Sequence, residues 1–241
     1  MNDGKKTVLV ISAHAADFVW RAGGAIALYS SRGHRVRVLC LSYGERGESE
    51  SLWRQDGMTL DVVKSKRRAE SEQAAAILGA EIRFFDCGDY PLNFTEETVR
   101  EMVLEFRRCQ PDLILTHSQF DPYNTDHADT YDITLRTRIY AQAAGYPIDG
   151  PKLGAPPVFL FEPHQPEQCD FKPQVLLDIT PVFDRKRAAM ECMEAQQYLW
   201  EYCTDLAKRR GTQAVRNSGR REIKYAEAYQ RVYPQVAGEL L

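Results

Sequence analysis

A short apolar run that ends at a histidine and an aspartate places the tightest constraint on how this chain can fold. Residues Val8–Ile11 are all aliphatic, which is typical of a strand buried within a sheet. His14 and Asp17 follow that strand, and Gly23 lies in the helix-like segment behind them. Open α/β sheets bind ligands at the carboxyl ends of their strands. The pattern therefore predicts a buried strand that leads into a ligand-carrying turn and a packed helix.

Strand-like and helix-like segments alternate over the first two thirds of the 241 residues. The predicted strands are 7–12, 35–42, 81–85, 112–116, 158–161 and 174–179. The predicted helices are 17–32, 60–78, 95–108, 126–144, 181–195, 196–210 and 219–231, with Thr95 as an N-cap and Gly79 as a stop. This alternation favours an α/β fold with a doubly wound, mostly parallel, Rossmann-like sheet. The length fits a single domain over residues 1–241.

Composition excludes several classes of protein. The formal net charge of -3 argues against a sequence-independent nucleic-acid binder. No apolar run approaches the roughly 20 residues that a membrane span needs. The six cysteines form no C-x-x-C pair, and no signal-peptide pattern precedes residue 7. We therefore expect reduced thiols and a cytoplasmic location, with no nucleic-acid or membrane partner.

A second histidine, His127, follows the predicted strand at 112–116. Both strand ends can face the same edge of a parallel sheet, which would bring His127 to His14 and Asp17. Imidazole and carboxylate groups are ligands that zinc accepts readily, and catalytic sites keep one position open. The spacing thus predicts a His-Asp-His metal site. The alternative is that His14 packs in the core and Asp17 caps a helix.

The residues around these positions resemble the LmbE-like (PIG-L) zinc deacetylases. Residues 13–17 are similar to the start of that family's Ala-His-Pro-Asp-Asp-Glu motif, and residues 124–127 are similar to its His-Pro-Asp-His motif. Residues 43–47 resemble its Gly-Glu loop, and residues 67–79 its Arg-x-x-Glu…Leu-Gly helix. The resemblance implies the LmbE/PIG-L fold, a Zn2+ cofactor and a homo-oligomer. It carries the metal ligands onto His14, Asp17 and His127.

Two departures from the family motifs bear on the chemistry. Ala16 stands where the deacetylases carry an aspartate that acts as general base, and Asn124 replaces the histidine that assists the oxyanion. A zinc hydrolase needs a base to activate water, and a methyl group cannot serve. The metal site is therefore expected without the deacetylase machinery.

The variant run Asp17–Arg21 resembles the 4-oxalomesaconate hydratase branch of this fold. That resemblance implies addition of water to an unsaturated keto tricarboxylate during bacterial degradation of gallate and related aromatic acids. Such a reaction needs a base for water, an acid for carbon and cations for the free carboxylates.

Two residues are candidates for the proton transfers. Glu48 lies in a glycine-containing loop after the second predicted strand, and His164 follows the strand at 158–161. A histidine titrates near neutrality, which suits proton transfer. The alternatives are a solvent-facing carboxylate for Glu48 and a structural role for His164. His117 is expected to pack or to support the metal ligands.

Substrate carboxylates call for arginine, which pairs with them in bidentate fashion. We expect at least one of three arginines to reach the substrate, and two residues beside His127 to donate hydrogen bonds to it. These candidates are Arg21, Arg46, Arg67, Tyr123 and Asn124.

Three other functions remain open from the sequence. The first is an N-deacetylase or amide hydrolase with a relocated base such as Glu48. The second is a non-catalytic ligand-binding protein built on a former hydrolase. The third, a dinucleotide-binding domain, lacks its G-x-G-x-x-G fingerprint after the first strand.

Overall fold

The computed structural model describes residues 4–239. Residues 1–3, which belong to the segment searched for a signal-peptide pattern, lie outside the described residues. The strands are β1 (Thr7–Ser12), β2 (Arg35–Cys40), β3 (Glu81–Phe84), β4 (Leu113–Thr116), β5 (Val158–Phe161), β6 (Val175–Asp178) and β7 (Ala226–Arg231). The helices are α1 (Asp17–Ser31), α2 (Glu50–Trp53), α3 (Leu60–Leu78), α4 (Glu96–Cys109), α5 (Thr125–Gln142), α6 (Phe183–Glu191) and α7 (Leu199–Ser218). Short 3-10 turns occupy Pro166–Gln168, Thr180–Val182 and Glu194–Gln196.

All seven strands form one sheet in the order β3-β2-β1-β4-β5-β7-β6. The first five are parallel, whereas β7 runs antiparallel to both β5 and β6. The predicted α/β class with a mostly parallel sheet is therefore confirmed. The strand order reverses between β1 and β4, and at such a switch point the loops beyond the strands leave a crevice.

The core lies on both faces of the sheet because β1 sends alternate side chains to opposite sides. Val8 and Val10 join an apolar layer formed with α1, α3, α6 and α7. Leu9 and Ile11 join a second layer formed with α4 and α5. All four side chains are fully buried, which explains the continuous aliphatic run in the sequence. This packing fixes the end of β1 rigidly.

Local signals for two helix ends are confirmed. Thr95 caps α4 by accepting a hydrogen bond from the backbone N–H of Thr98 at 3.1 Å. Gly79 ends α3 in the left-handed region with a φ of 76°, where a glycine avoids strain. No helix within residues 4–239 is long and apolar enough to cross a membrane.

The predicted helix at 219–231 is wrong. Ala226–Arg231 is strand β7, inserted between β5 and β6, although alanine and glutamate favour helices. Pairing with two neighbouring strands overrides that local preference. The preceding helix α7 also continues past residue 210 to Ser218, where Gly219 ends it with a φ of 73°. The predicted helix at 181–195 is divided, with α6 limited to Phe183–Glu191.

Candidate metal centre and cleft

The turn between β1 and α1 carries two buried polar side chains. His14 is fully buried and Asp17 is 1% exposed. The Oδ2 atom of Asp17 accepts a hydrogen bond from the backbone N–H of His14 at 2.9 Å and lies 3.1 Å from the Nδ1 atom of His14. The strand end and the helix start are thus joined through the same carboxylate that faces the imidazole.

The first turn of α5 brings His127 to this pair. Its Nε2 atom lies 3.5 Å from the Oδ1 atom of Asp17. Asn124 caps the helix, because its Oδ1 atom accepts a hydrogen bond from the backbone N–H of Asp126 at 3.1 Å. The three sequence-predicted ligands therefore meet, since β1 and β4 are neighbours in the sheet.

Glu48 reaches the same place from the loop after β2. Its Oε1 atom lies 3.1 Å from the Nδ1 atom of His14. The loop is held by Asp89, whose carboxylate accepts hydrogen bonds from the backbone N–H groups of Arg46 and Gly47 at 2.9 and 2.8 Å. One potential ligand atom each from His14, Asp17, Glu48 and His127 lies within 4.8 Å of the others.

Two carboxylates orient the imidazoles from behind. Asp126 lies 3.1 Å from Nε2 of His14, and Asp121 lies 2.8 Å from Nδ1 of His127. Such contacts fix the tautomer of a metal-binding histidine. They leave Nδ1 of His14 and Nε2 of His127 facing the cluster.

The cluster passes a chemical test for a metal site. Nε2 of His127 and Oε2 of Glu48 are buried, and neither has a hydrogen-bond partner among residues 4–239. Buried polar atoms are normally paired, so these two atoms indicate that a ligand completes the cluster. Two imidazoles and two carboxylates suit zinc, and also other divalent transition metals.

The electrostatics of the cluster call for a positive charge. Burial would lower the pKa of His14, but the charge of Glu48 and hydrogen bonds with Asp126 and Asp17 raise it well above its ordinary value. Burial would raise the pKa of Asp17, but the charges of His127 and His117 hold it well below its ordinary range. A proton or a metal cation can satisfy these carboxylates.

A cleft of about 380 Å³ opens above the cluster. Its walls include the predicted residues Arg21, Glu48, Tyr123, Asn124, His127 and His164. Burial, together with the charge of Arg21, lowers the pKa of His164 to about 3, so this ring is neutral near pH 7. The Tyr202 hydroxyl donates a hydrogen bond to the backbone carbonyl of His164 and fixes its position.

Two of the predicted arginines do not line this cleft. The Arg46 side chain is 50% exposed, and it donates a hydrogen bond to the backbone carbonyl of Asp89 at 2.7 Å. Arg67 is fully buried behind the cleft, where it pairs with Glu70 at 2.6 Å. Arg21 does line the cleft, and its Nε donates to Oδ1 of Asp17 at 3.1 Å.

His117 occupies the supporting position expected for it. The ring is 1% exposed, and its Nε2 atom accepts a hydrogen bond from the backbone N–H of Ala13 at 3.0 Å. The same atom lies 3.5 Å from Oδ2 of Asp17. His117 therefore packs beneath the cluster and does not line the cleft.

Sequence reasoning missed several residues of the site. These are Asp89, Tyr90, Asp121, Gln196, Tyr198 and Tyr202. Asp121 could have been found, because it precedes His127 by only six residues in a loop that leaves a strand. Gln196 gave no local signal, because it reaches the cleft from a distant part of the chain.

Comparison with known proteins gives a family match and several relatives. The profile of the PIG-L family, described as GlcNAc-PI de-N-acetylase, matches residues 9–137. A 4-oxalmesaconate hydratase from Pseudomonas putida is 52% identical, and the alignment covers 100% of this chain and 94% of the relative. A diacetylchitobiose deacetylase from Thermococcus kodakarensis is 29% identical over 83% of this chain and 74% of its own length.

The fold agrees as well. The crystal structure of GalB, the 4-carboxy-2-hydroxymuconate hydratase from Pseudomonas putida, matches with a TM-score of 0.95 at 52% identity. That match covers 98% of this chain and 100% of the other. Because the family profile spans more than half of the sequence and a relative is 52% identical along all of it, this chain belongs to the PIG-L family.

Proposed function

We propose that this chain is a metal-dependent hydratase that adds water to 4-oxalomesaconate and forms 4-carboxy-4-hydroxy-2-oxoadipate in bacterial breakdown of gallate and related aromatic acids. The observation that carries the proposal is the position of two residues beside the candidate metal cluster, the alanine at position 16 and the carboxylate of Glu48. Ala16 is fully buried among apolar side chains, whereas the carboxylate of Glu48 lies 3.1 Å from His14. The full-length relative described as a 4-oxalmesaconate hydratase supports the same reaction.

His14, Asp17 and His127 would hold the metal, which we propose to be zinc, and Glu48 lies close enough to act on water beside it. When bound, the cation supplies Lewis-acid stabilisation for negative charge that develops on the keto-acid oxygens. The remaining chemistry falls to the side chains of the cleft.

Glu48 and His164 form the proposed acid/base pair. Burial opposes ionisation of Glu48, but the charge of His14 lowers the Glu48 pKa below its ordinary value, so the carboxylate is ionised. His164 is a neutral imidazole, so neither the ionised Glu48 nor His164 starts with an acidic proton to give. Hydration forms a C–O bond at the carbon β to the ketone and a C–H bond at the other carbon of the double bond. The proton that reaches carbon is then the one that Glu48 or His164 removes from water.

Three residues of the cleft would bind the substrate carboxylates. Arg21 uses Nε for Asp17 and Nη1 for the backbone carbonyl of Glu162, and its Nη2 has no hydrogen bond within residues 4–239. Asn124 uses its oxygen in capping α5, so its NH2 group can donate to a ligand. Tyr123 lies beside it at the rim, 55% exposed, and its hydroxyl donates to Oε1 of Gln168, a contact that a substrate carboxylate would replace. Arg46 and Arg67 would act indirectly, through the loop and the wall that they support.

The test is the loss of ultraviolet absorbance of 4-oxalomesaconate with zinc-loaded protein and a chelated control. Rapid loss that the chelator abolishes is the expected result. No loss with zinc demonstrably bound would overturn the proposal. Light scattering in the same buffer tests the expected homo-oligomer.

A second candidate is an N-deacetylase that uses Glu48 as a relocated base. The position of Glu48 next to His14 favours it, since this carboxylate could also activate water for amide hydrolysis. Release of acetate from N,N'-diacetylchitobiose, without hydration of 4-oxalomesaconate, would select this function. Tight binding of keto acids without either reaction would instead indicate a non-catalytic protein.

A further inference from the structure

Gln196 places an amide in the wall of the cleft from the 3-10 turn that precedes α7. Its side chain is 4% exposed, and its Oε1 atom accepts a hydrogen bond from Nη2 of Arg67 at 2.9 Å. Its Nε2 atom has no hydrogen bond among residues 4–239. The neighbouring Gln197 is exposed and lines a different groove. Gln196 is therefore the glutamine of this pair that faces the cleft.

Arg67 determines which end of this amide a ligand meets. The guanidinium is fully buried and also donates to Glu70 at 2.6 Å and to the backbone carbonyl of Tyr43 at 3.4 Å. A guanidinium can only donate hydrogen bonds, so its partner in Gln196 must be the oxygen. The NH2 group is then the end that remains for a ligand.

Asn124 follows the same rule within the same cleft. Its oxygen is taken by the backbone N–H of Asp126, and its NH2 group remains. The NH2 groups of Gln196 and Asn124 are thus available as donors, whereas their oxygens are already occupied. Such a pair favours ligands that carry carboxylate or carbonyl oxygens. Arg21, the arginine in the wall, uses Nε for Asp17 and Nη1 for the backbone carbonyl of Glu162, which leaves Nη2 for one carboxylate. Neutral donors are therefore needed for additional carboxylates of a ligand.

We propose that Gln196 binds a carboxylate of the substrate and determines specificity for polycarboxylates, with Arg67 as its positioning residue. The inference rests on the proposed hydratase function for the identity of that substrate. The sequence predicted that Arg67 contacts the substrate directly. The proposal gives this buried residue an indirect role instead. Arg67 acts on the ligand through the orientation of one amide.

Steady-state hydration of 4-oxalomesaconate by zinc-loaded variants tests the contact. A hydrogen bond to a charged group contributes enough that Gln196→Met is expected to raise KM by about 10- to 100-fold, with kcat within about threefold. Gln196→Glu keeps an oxygen for Arg67 and replaces the donor with an anion, so its KM should rise at least as far. Gln197→Met is the matched control and should stay within about twofold of the wild type. Unchanged KM in Gln196→Met and Gln196→Glu would overturn the proposal.

The positioning role of Arg67 has its own readout. Arg67→Lys keeps the positive charge but loses the planar fork, so KM should rise while kcat and zinc content stay unchanged. In a Gln196→Met background the same substitution should raise KM no further, because the amide that it positions is gone. If the two substitutions instead raise KM independently, so that their fold-changes multiply, Arg67 does not act through Gln196 and its role is only structural.

Calorimetry with tricarballylate separates this inference from the proposed function. The contact is supported, even without hydration, if the wild type binds this tricarboxylate and the Gln196→Met variant binds it at least about tenfold more weakly. Wild type that hydrates 4-oxalomesaconate with a KM independent of Gln196 keeps the function and refutes the inference. A protein that neither hydrates 4-oxalomesaconate nor binds tricarballylate refutes both.

Discussion

Replacing Asp121 with asparagine should weaken metal binding through the tautomer of His127. The carboxylate of Asp121 accepts from Nδ1 of His127 at 2.8 Å and from the backbone N–H of Tyr123 at 3.0 Å. Burial would raise the pKa of Asp121, but the hydrogen bond with His127 lowers it, so the group is ionised. This anion keeps the proton on Nδ1 and leaves the lone pair of Nε2 for a metal.

Asparagine has one side-chain oxygen for these two donors. If that oxygen serves Tyr123, the NH2 group faces Nδ1 of His127, which must then accept a hydrogen bond. The ring proton moves to Nε2, where it blocks metal binding until the tautomer is reversed. Loss of such a supporting contact typically lowers metal affinity about 10- to 100-fold, or about 1.4 to 2.8 kcal/mol.

Competition against a chromophoric zinc chelator at neutral pH measures this change directly. Asp132→Asn is the matched control, because Asp132 lies exposed on α5, the helix that carries His127. It should bind zinc as the wild type does. An Asp121→Asn protein whose zinc affinity stays within about twofold of the wild type would refute the reasoning, since the expected effect is at least tenfold.

Three more outcomes follow from the site and the core. Glu48→Gln should retain zinc and lower kcat by about 10²- to 10⁴-fold, whereas loss of zinc would make Glu48 a ligand instead of an acid/base. The unfolded chain protonates His164 near pH 6.5, and the folded protein only near pH 3, so this group destabilises the fold progressively as pH falls below 6.5. We therefore expect the unfolding free energy of the wild type, measured with denaturant and chelator, to fall by about 2 kcal/mol more between pH 8 and pH 5 than that of His164→Gln. Equal losses in the two proteins would contradict the lowered pKa of His164. Lys186→Met removes the ammonium that lies 2.7 Å from the buried Glu227 and leaves that charge with neutral donors alone, so it should cost about 3–5 kcal/mol of unfolding free energy; a wild-type melting temperature would contradict this expected cost.

The elements that could be predicted are those whose own residues decide them. The run Val8–Ile11 predicts β1 because both faces of the strand are buried, and Gly79 predicts the end of α3 because its conformation suits glycine. The residues of β7 offer no such signal. Their strand conformation depends on pairing with β5 and β6, which lie far away in the sequence.

The same distinction runs through the site. His14, Asp17 and His127 could be found because each follows a recognisable strand, and neighbouring parallel strands end at one edge. Arg67 looked like a substrate ligand because its charge was visible while its burial was not. Gln196 could not be found, because its orientation depends on a guanidinium 129 positions away.

The loop that carries Glu48 shows how a carboxylate can reach the candidate metal centre from outside the turn between β1 and α1. β1 and β2 are neighbours, so a side chain beyond β2 reaches His14 as closely as one on α1 does. Asp89 holds the loop, and Tyr90 covers it so closely that a Cβ atom at Gly47 would meet the tyrosine ring at 1.9 Å. The Tyr90 ring also stacks on the His14 ring, with 6.0 Å between the two ring centroids. The proposed metal ligands can therefore stay fixed while the packed loop places the proposed acid/base residue, Glu48, beside them.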